Sequence, residues 1–488
     1  MLTRYLKYGC YLLLGALAIA GCQKLEDINV DPTKPTTTEP QYLLTGAQKS
    51  AMDILYAGPQ NGRVAMAYAQ YWTGNDKAND ARFLLDEGIN APIWNNLYSV
   101  SLHNLDEIIR LNKVQPTATS TNQIAIAQIL KAWIYQILAD AYGNIPYTEA
   151  LQSVENIRPK YDDARTVYNS LLDTLAQQAA ALDPAQGSFP TGDVIYNGNV
   201  TAWKKLAHSL MLRLAIRMVD VDPAKAKSVI EANYQNAMTA SADSAVFKYL
   251  PAAPNKFPYN ESERSLTEFF VTSTLVDYMA SVSDPRLGIF ARPSILDTVY
   301  RGLPYGTSES NPGRLQPSAY SYPGTRIYAA DMSGILMTYP EVAFILAEAA
   351  ARGFSVGADA ATHYANGVKA SLDYWGIRNT DSVNAYLARV PYTAGDWKNV
   401  IGTQKWLALY PQGLQGWFER LRLDPKKPNG DSLFRAPVDV TLDQNVSFVP
   451  YRLTYLISEQ QQNSASYNDA ANAIGGDTKG VRLWWDKQ

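Results

Sequence analysis

The chain has 488 residues and a formal charge of −3, from 43 basic and 46 acidic side chains, and it lacks the clustered basic face that nucleic-acid binding requires. Its 47% hydrophobic content is enough for a large buried interior, whereas two cysteines and three histidines leave little for disulfides or a zinc site. Aromatic usage is skewed to rings with a polar handle, 32 Tyr and 10 Trp against 12 Phe, a bias that suits half-wet surfaces.

The chain opens with Arg4 and Lys7, an apolar run from Tyr11 to Ala20, and then Gly21-Cys22. This order predicts a secretory signal over residues 1–21. The apolar run is about half of the ~20 residues that a membrane-crossing helix needs, and no later segment is apolar enough to span. Small residues before Cys22 are similar to the bacterial lipobox, so Cys22 is the expected lipidation site and the anchor to the membrane. Cys10 would leave with the leader, and the single remaining cysteine could form no internal disulfide. Residues 22–40, rich in Pro, Thr and charge, read as a tether.

Residues 41–488 are expected to form a single, mostly α binding domain. Apolar residues recur at helical spacing at Trp94, Leu97, Tyr98, Leu102, Leu105 and Ile109, and again from Ile126 to Leu138. Further stripes run Tyr168–Leu182, Trp203–Met218, Val342–Ala349 and Tyr364–Trp375. Hairpins beginning near 91, 163 and 339 give a helix-pair scaffold with no regular repeat.

From about 243 to 335 the pattern breaks into short runs punctuated by Pro and Gly, an insert of long ordered loops rich in tyrosine. Ligand contacts are expected there from Tyr305, Tyr320 and Tyr322. A second irregular stretch runs from about 424 to the C-terminus. Tyr71, Trp72 and Asn75, and likewise Trp94 and Asn95, set an indole beside amide or hydroxyl groups near a helix end, a combination that suits a sugar ring. The competing reading makes Trp72 and Trp94 scaffold residues between hairpins.

No nucleophile elbow, metalloprotease helix or phosphate-binding loop occurs, so no catalytic residue, metal ligand or cofactor site is assigned. Paired acids such as Asp86-Glu87 and Asp106-Glu107 leave a glycoside hydrolase conceivable, but neighbours on a helix point apart. Arg213 and Arg217 lie one turn apart and are expected to pair with carboxylates across the helix packing, Glu348 among them.

Several segments together resemble the SusD/RagB family, in its SusD-like branch. They include Tyr42-Leu43-Leu44-Thr45-Gly46-Ala47, the run Asp140–Ala150, Pro159-Lys160-Tyr161-Asp162, Asp193–Gly198, Trp203–Leu214, Ser283-Asp284-Pro285-Arg286-Leu287, Gln404–Leu409 and Gly475-Gly476-Asp477. His208 stands where the family often has asparagine. The resemblance implies helix hairpins similar to tetratricopeptide repeats, with long irregular loops carrying the ligand site. It also implies a lipoprotein of the outer membrane, exposed at the cell surface. Such a protein would capture an oligosaccharide or other glycan and pass it to a SusC-like TonB-dependent transporter. Peptide binding by the same fold is the alternative expectation, and surface glycoside hydrolysis a third.

Overall fold

Helical periodicity in the sequence becomes a layered stack of helices in a computed structural model, which describes residues 38–75, 77–261, 268–312, 316–426, 432–439 and 441–487. The signal segment, Cys22 and most of the tether lie outside the described residues.

The main helices of the unit Pro40–Gln488 are α1 (Pro40–Leu55), α2 (His103–Val114), α3 (Ser120–Tyr142), α4 (Ala164–Ala181), α5 (Val200–Arg217), α6 (Pro223–Asn233), α7 (Ser273–Ser281), α8 (Tyr339–Ala351), α9 (Ala360–Tyr374), α10 (Thr380–Arg389), α11 (Trp397–Ala408), α12 (Gly413–Leu423) and α13 (Ser464–Ala473). Each apolar stripe read from the sequence falls on one of them or on the helical turns Ala91–Leu102 that lead into α2. From α1 to α6 each helix packs on the next; α8 then packs on α9, α11 on α8, and α12 on α11. The mostly α fold of packed helix pairs expected from the sequence is the one observed.

Side-chain caps set several helix starts: Asp163 accepts from the N–H groups of Arg165 and Thr166, Asn199 from Ala202, Asp359 from Thr362 and Asn379 from Ser382. Helix α3 ends at Gly143, which takes φ +88°, and the chain turns into the strand pair β2 (Ile145–Pro146) and β3 (Tyr161–Asp162). Contrary to the sequence reading, α3 is long and apolar enough to cross a membrane, but 83% of its apolar window is buried against the neighbouring helices. It is the central helix of the core, which is why both of its faces are apolar.

The segment expected as loops also contains regular structure. Strand β4 (Ala245–Lys248) pairs with β6 (Ser333–Met337), and β5 (Phe269–Val271) pairs with β1 (Trp72–Gly74), both antiparallel. These ladders fasten the segment at both ends, and α7 lies between them. Short continuous apolar runs such as Phe269–Val271 carry no periodicity to separate strand from loop.

Several of the motifs that carry the resemblance act as staples of this scaffold. Asp193 binds Gln48 Nε2 at 3.0 Å and Trp203 Nε1 at 2.7 Å, fixing the approach to α5 against α1. Asp284 holds the Arg286 guanidinium through two bonds of 2.9 and 2.6 Å, and Arg286 reaches Ser371 on α9 and Gln404 on α11. Asp477 binds Arg452 at 2.7 Å and the Tyr455 N–H at 3.0 Å.

Candidate functional site

Three loops far apart in sequence meet around a polar cleft of about 400 Å³. Asn79 and Arg82 come from the turn after β1, Ser308, Glu309 and Ser310 from the loop after Tyr305, and Asp439 and Thr441 from the stretch after α12. Each loop is fixed from below. Asp80 is buried and takes a two-pronged bond from Arg63 at 2.7 and 3.0 Å, which sets the first turn. Phe83 adopts φ +66° to bury its ring between Tyr68 and Tyr305, with centroids 5.7 and 6.4 Å away.

The second and third loops are bonded to one another. The Val438 N–H donates to the Tyr305 carbonyl at 2.8 Å, and the Ser308 N–H donates to Asp439 Oδ2. That N–H, with help from the Ser308 and Asn311 side chains, holds the Asp439 carboxyl below the usual carboxylate range. Gly306 sits at the crossing with φ +74°, and a β-carbon there would lie 2.4 Å from Pro437 Cβ, so the approach needs glycine. Arg82 Nη1 reaches the Thr441 carbonyl at 3.3 Å and its Nη2 binds Asn79 Oδ1, which ties the first loop to the third.

Beneath the cleft lies Arg420 of α12. Its Nη1 donates to the Tyr68 carbonyl at 2.6 Å, and its guanidinium stacks on Phe434 and Phe448, 4.6 and 5.1 Å from the ring centroids. Burial pushes its pKa down to about 10. The cleft itself offers hydroxyls, an amide, two carboxylates and one guanidinium, with the half-exposed Leu84 and Val438 nearby in sequence. That mixture of donors and acceptors suits a neutral, hydroxyl-rich ligand.

None of the residues singled out from the sequence lines this cleft. Tyr71 and Trp72 are 0% exposed, which corrects their assignment as ligand contacts. Tyr71 donates to the Trp406 carbonyl at 2.5 Å and stacks on that indole, while Trp72 Nε1 donates to Tyr410 Oη at 3.1 Å and its ring stacks on Phe269. Trp72 lies on β1 against β5, and Tyr71, just before β1, lies against α11. Asn75 follows β1, half-buried, with its N–H on the Glu268 carbonyl at 2.8 Å.

Tyr305 is 1% exposed and supports the cleft from inside, so its expected ligand contact is corrected to packing. Tyr320 and Tyr322 gather around Phe270, 5.9 and 5.0 Å between centroids, and Tyr322 also carries Arg292 over its face. Trp94 is buried and Asn95 exposed, beside a different recess between helices and the β2–β3 hairpin.

Titratable groups elsewhere have structural partners. Asp106 pairs with Lys131 and Glu107 with Arg110, each at 2.6 Å, so the adjacent acids diverge. Arg213 binds Glu341 at 2.6 and 2.7 Å, and Arg217 binds Asp140 at 2.5 Å and Glu419 at 2.9 Å. Both pair with carboxylates across helices, as expected, but Glu348 goes instead to Arg422 and Arg352. His208 bonds Asn233 at 2.7 Å, His363 faces the Val356 carbonyl at 3.1 Å and His103 is exposed, so the three share no centre.

A family model described as "Starch-binding associating with outer membrane" matches residues 32–455. Among solved structures, a chitin-binding protein is 27% identical, with a TM-score of 0.82 over 92% of this chain and 100% of its own. A chitin-binding SusD homolog from Flavobacterium johnsoniae is 22% identical, with a TM-score of 0.79 over 91% of this chain and 98% of its own. A SusD homolog from Parabacteroides distasonis is 22% identical, with a TM-score of 0.80 over 92% and 98%. No curated protein matches. Family model and fold agree, and the chain belongs to the SusD-like family described as starch-binding and associating with the outer membrane.

Proposed function

We propose that this protein captures a glycan in the polar cleft between the three loops and passes it, without covalent chemistry, to a TonB-dependent transporter of the outer membrane. Convergence of the three loops on one polar cleft carries the proposal, because hydroxyl-lined recesses built on a rigid scaffold are suited to reading sugar hydroxyls. Family membership supports glycan as the ligand class, and the chitin-binding relative at 27% identity makes an N-acetylglucosamine chain the first probe. A lipid on Cys22 would hold the protein at the outer membrane, with the cleft available at the cell surface.

Calorimetry with chitohexaose and maltohexaose tests the ligand class. Arg82→Ala is expected to weaken binding at least tenfold, about 1.4 kcal/mol or more, with an unchanged melting temperature. Heat from a peptide panel and none from either glycan would replace this reading with peptide capture. Release of shorter sugars on long incubation would establish hydrolysis instead. Purification from detergent-solubilised outer membrane is expected to recover a large barrel protein alongside this chain; recovery of the chain alone would refute the partnership.

A further inference from the structure

The arginines most deeply buried in the scaffold are Arg213, Arg217, Arg286, Arg420, Arg422 and Arg452. Five of them bind a carboxylate at distances between 2.5 and 2.7 Å, and Arg420 alone has no ion pair among the described residues. Asp424, at the end of the same helix, acts on it only at a distance. A guanidinium desolvated without an ion pair costs stability, and buried ions are often exchanged for apolar side chains of similar volume with no loss. Helix packing therefore gives no reason for a cation at this position.

The partners of Arg420 supply one, because they come from the bases of the three cleft loops. Nη1 holds the Tyr68 carbonyl, and the Tyr68 ring receives Phe83 of the first loop. Tyr305 of the second loop stands beside the guanidinium: burial raises its phenol, and the arginine charge opposes that rise. Phe434 and Phe448, from the stretch that carries the third loop, lie against the guanidinium at 4.6 and 5.1 Å from their ring centres. A planar cation with a fork of donors can grip ring faces and a carbonyl at once, whereas an apolar side chain would fill the space and grip neither. Ser308 and Asp439, which line the cleft, follow Tyr305 and Phe434 within a few residues, so the spacing of those bases sets the spacing of the polar groups above.

We propose that Arg420 is the positioning residue of the cleft: it draws the bases of the three loops together so that their polar groups face one ligand. The protein bears a buried cation without an ion pair for that purpose. The inference rests on the glycan-capture reading and deepens it, since Arg420 acts on the ligand through the loops and not by contact.

Chitohexaose titrations and thermal melts of Arg420→Met test it. A side chain that only supported the core would lower the melting temperature and leave the affinity of the folded protein as it was. Arg420→Met is expected to do the reverse: to melt within about 3 °C of the unaltered protein, or above it, and to bind about tenfold more weakly or worse. Amide exchange at Ser308 and Val438, whose N–H groups bond the second and third loops, should quicken in that variant while α5 stays protected. Arg420→Lys keeps a cation beside the rings without the planar fork, and its affinity should fall between the two. Arg286→Met, which strands Asp284 outside the loops, should show the opposite pattern, a lower melting temperature with unchanged affinity. Unchanged affinity in Arg420→Met, or affinity lost only in step with melting temperature, overturns the positioning role and leaves glycan capture standing. An Arg420→Lys affinity no better than that of Arg420→Met overturns the part given to the cation. Binding of no glycan by the unaltered protein overturns the capture reading and this inference together.

Discussion

Arg217 lies at the centre of the helix stack, 1% exposed, between Asp140 on α3 and Glu419 on α12. Lys405 and Arg422 extend the same cluster, at 3.0 and 2.8 Å from Glu419. Breaking one member leaves its partners charged and buried. Arg217→Met is therefore expected to lower stability by about 3–5 kcal/mol, measured by urea unfolding. Burial alone would raise the Glu419 carboxyl, but Arg422, then Lys405 and Arg217, hold it well below the usual range, and Arg422 also lowers that of Glu348 against its burial. A depressed folded pKa stabilises the protein above the unfolded carboxylate value of about 4.3, and the contribution is lost as pH falls through the folded value. Thermal melts between about pH 5 and about pH 3 should fall steeply, and Glu419→Gln should be less stable at neutral pH with a flatter acid limb. An equally steep limb in that variant would remove Glu419 from the explanation.

Among the elements, the loops that build the cleft are bonded to one another. Gly306 allows the second loop to cross the third, and alanine there would meet both the positive φ and the Pro437 ring. Gly306→Ala is expected to cost about 1–2 kcal/mol of stability and to weaken glycan binding more than that loss implies, because the loops must part. Parallel calorimetry and denaturation separate the two effects; equal losses would show the crossing to be structural only. Helix order was legible because burial of one face repeats every turn, so Ile126–Leu138 or Trp203–Met218 announces itself locally. Strand pairing was not, since β1 and β5 are three residues each and lie almost two hundred positions apart.

At the scale of the molecule, the C-terminal strand of chain closes onto the scaffold. Trp485 is 1% exposed, donates to Asp140 Oδ1 at 3.0 Å and covers Arg217, 5.6 Å from the ring centre. Trp485→Ala should cost about 3–5 kcal/mol by emptying a large volume beside the charge cluster, a loss that calorimetric melting would register. Composition and periodicity by themselves determined a mostly helical scaffold and a chain poor in metal ligands, and the shared motifs determined the family. Those features are local or additive, so no knowledge of distant contacts is needed to read them. The site was different. Tyr71 and Trp72 carry the composition of a sugar contact, yet packing against α11 and β5 buries them, while Asn79, Ser308 and Asp439 look like ordinary loop residues until packing unites them. Which side of a strand faces the core, and which loops meet, depends on contacts hundreds of residues apart, and only the tertiary structure decided them.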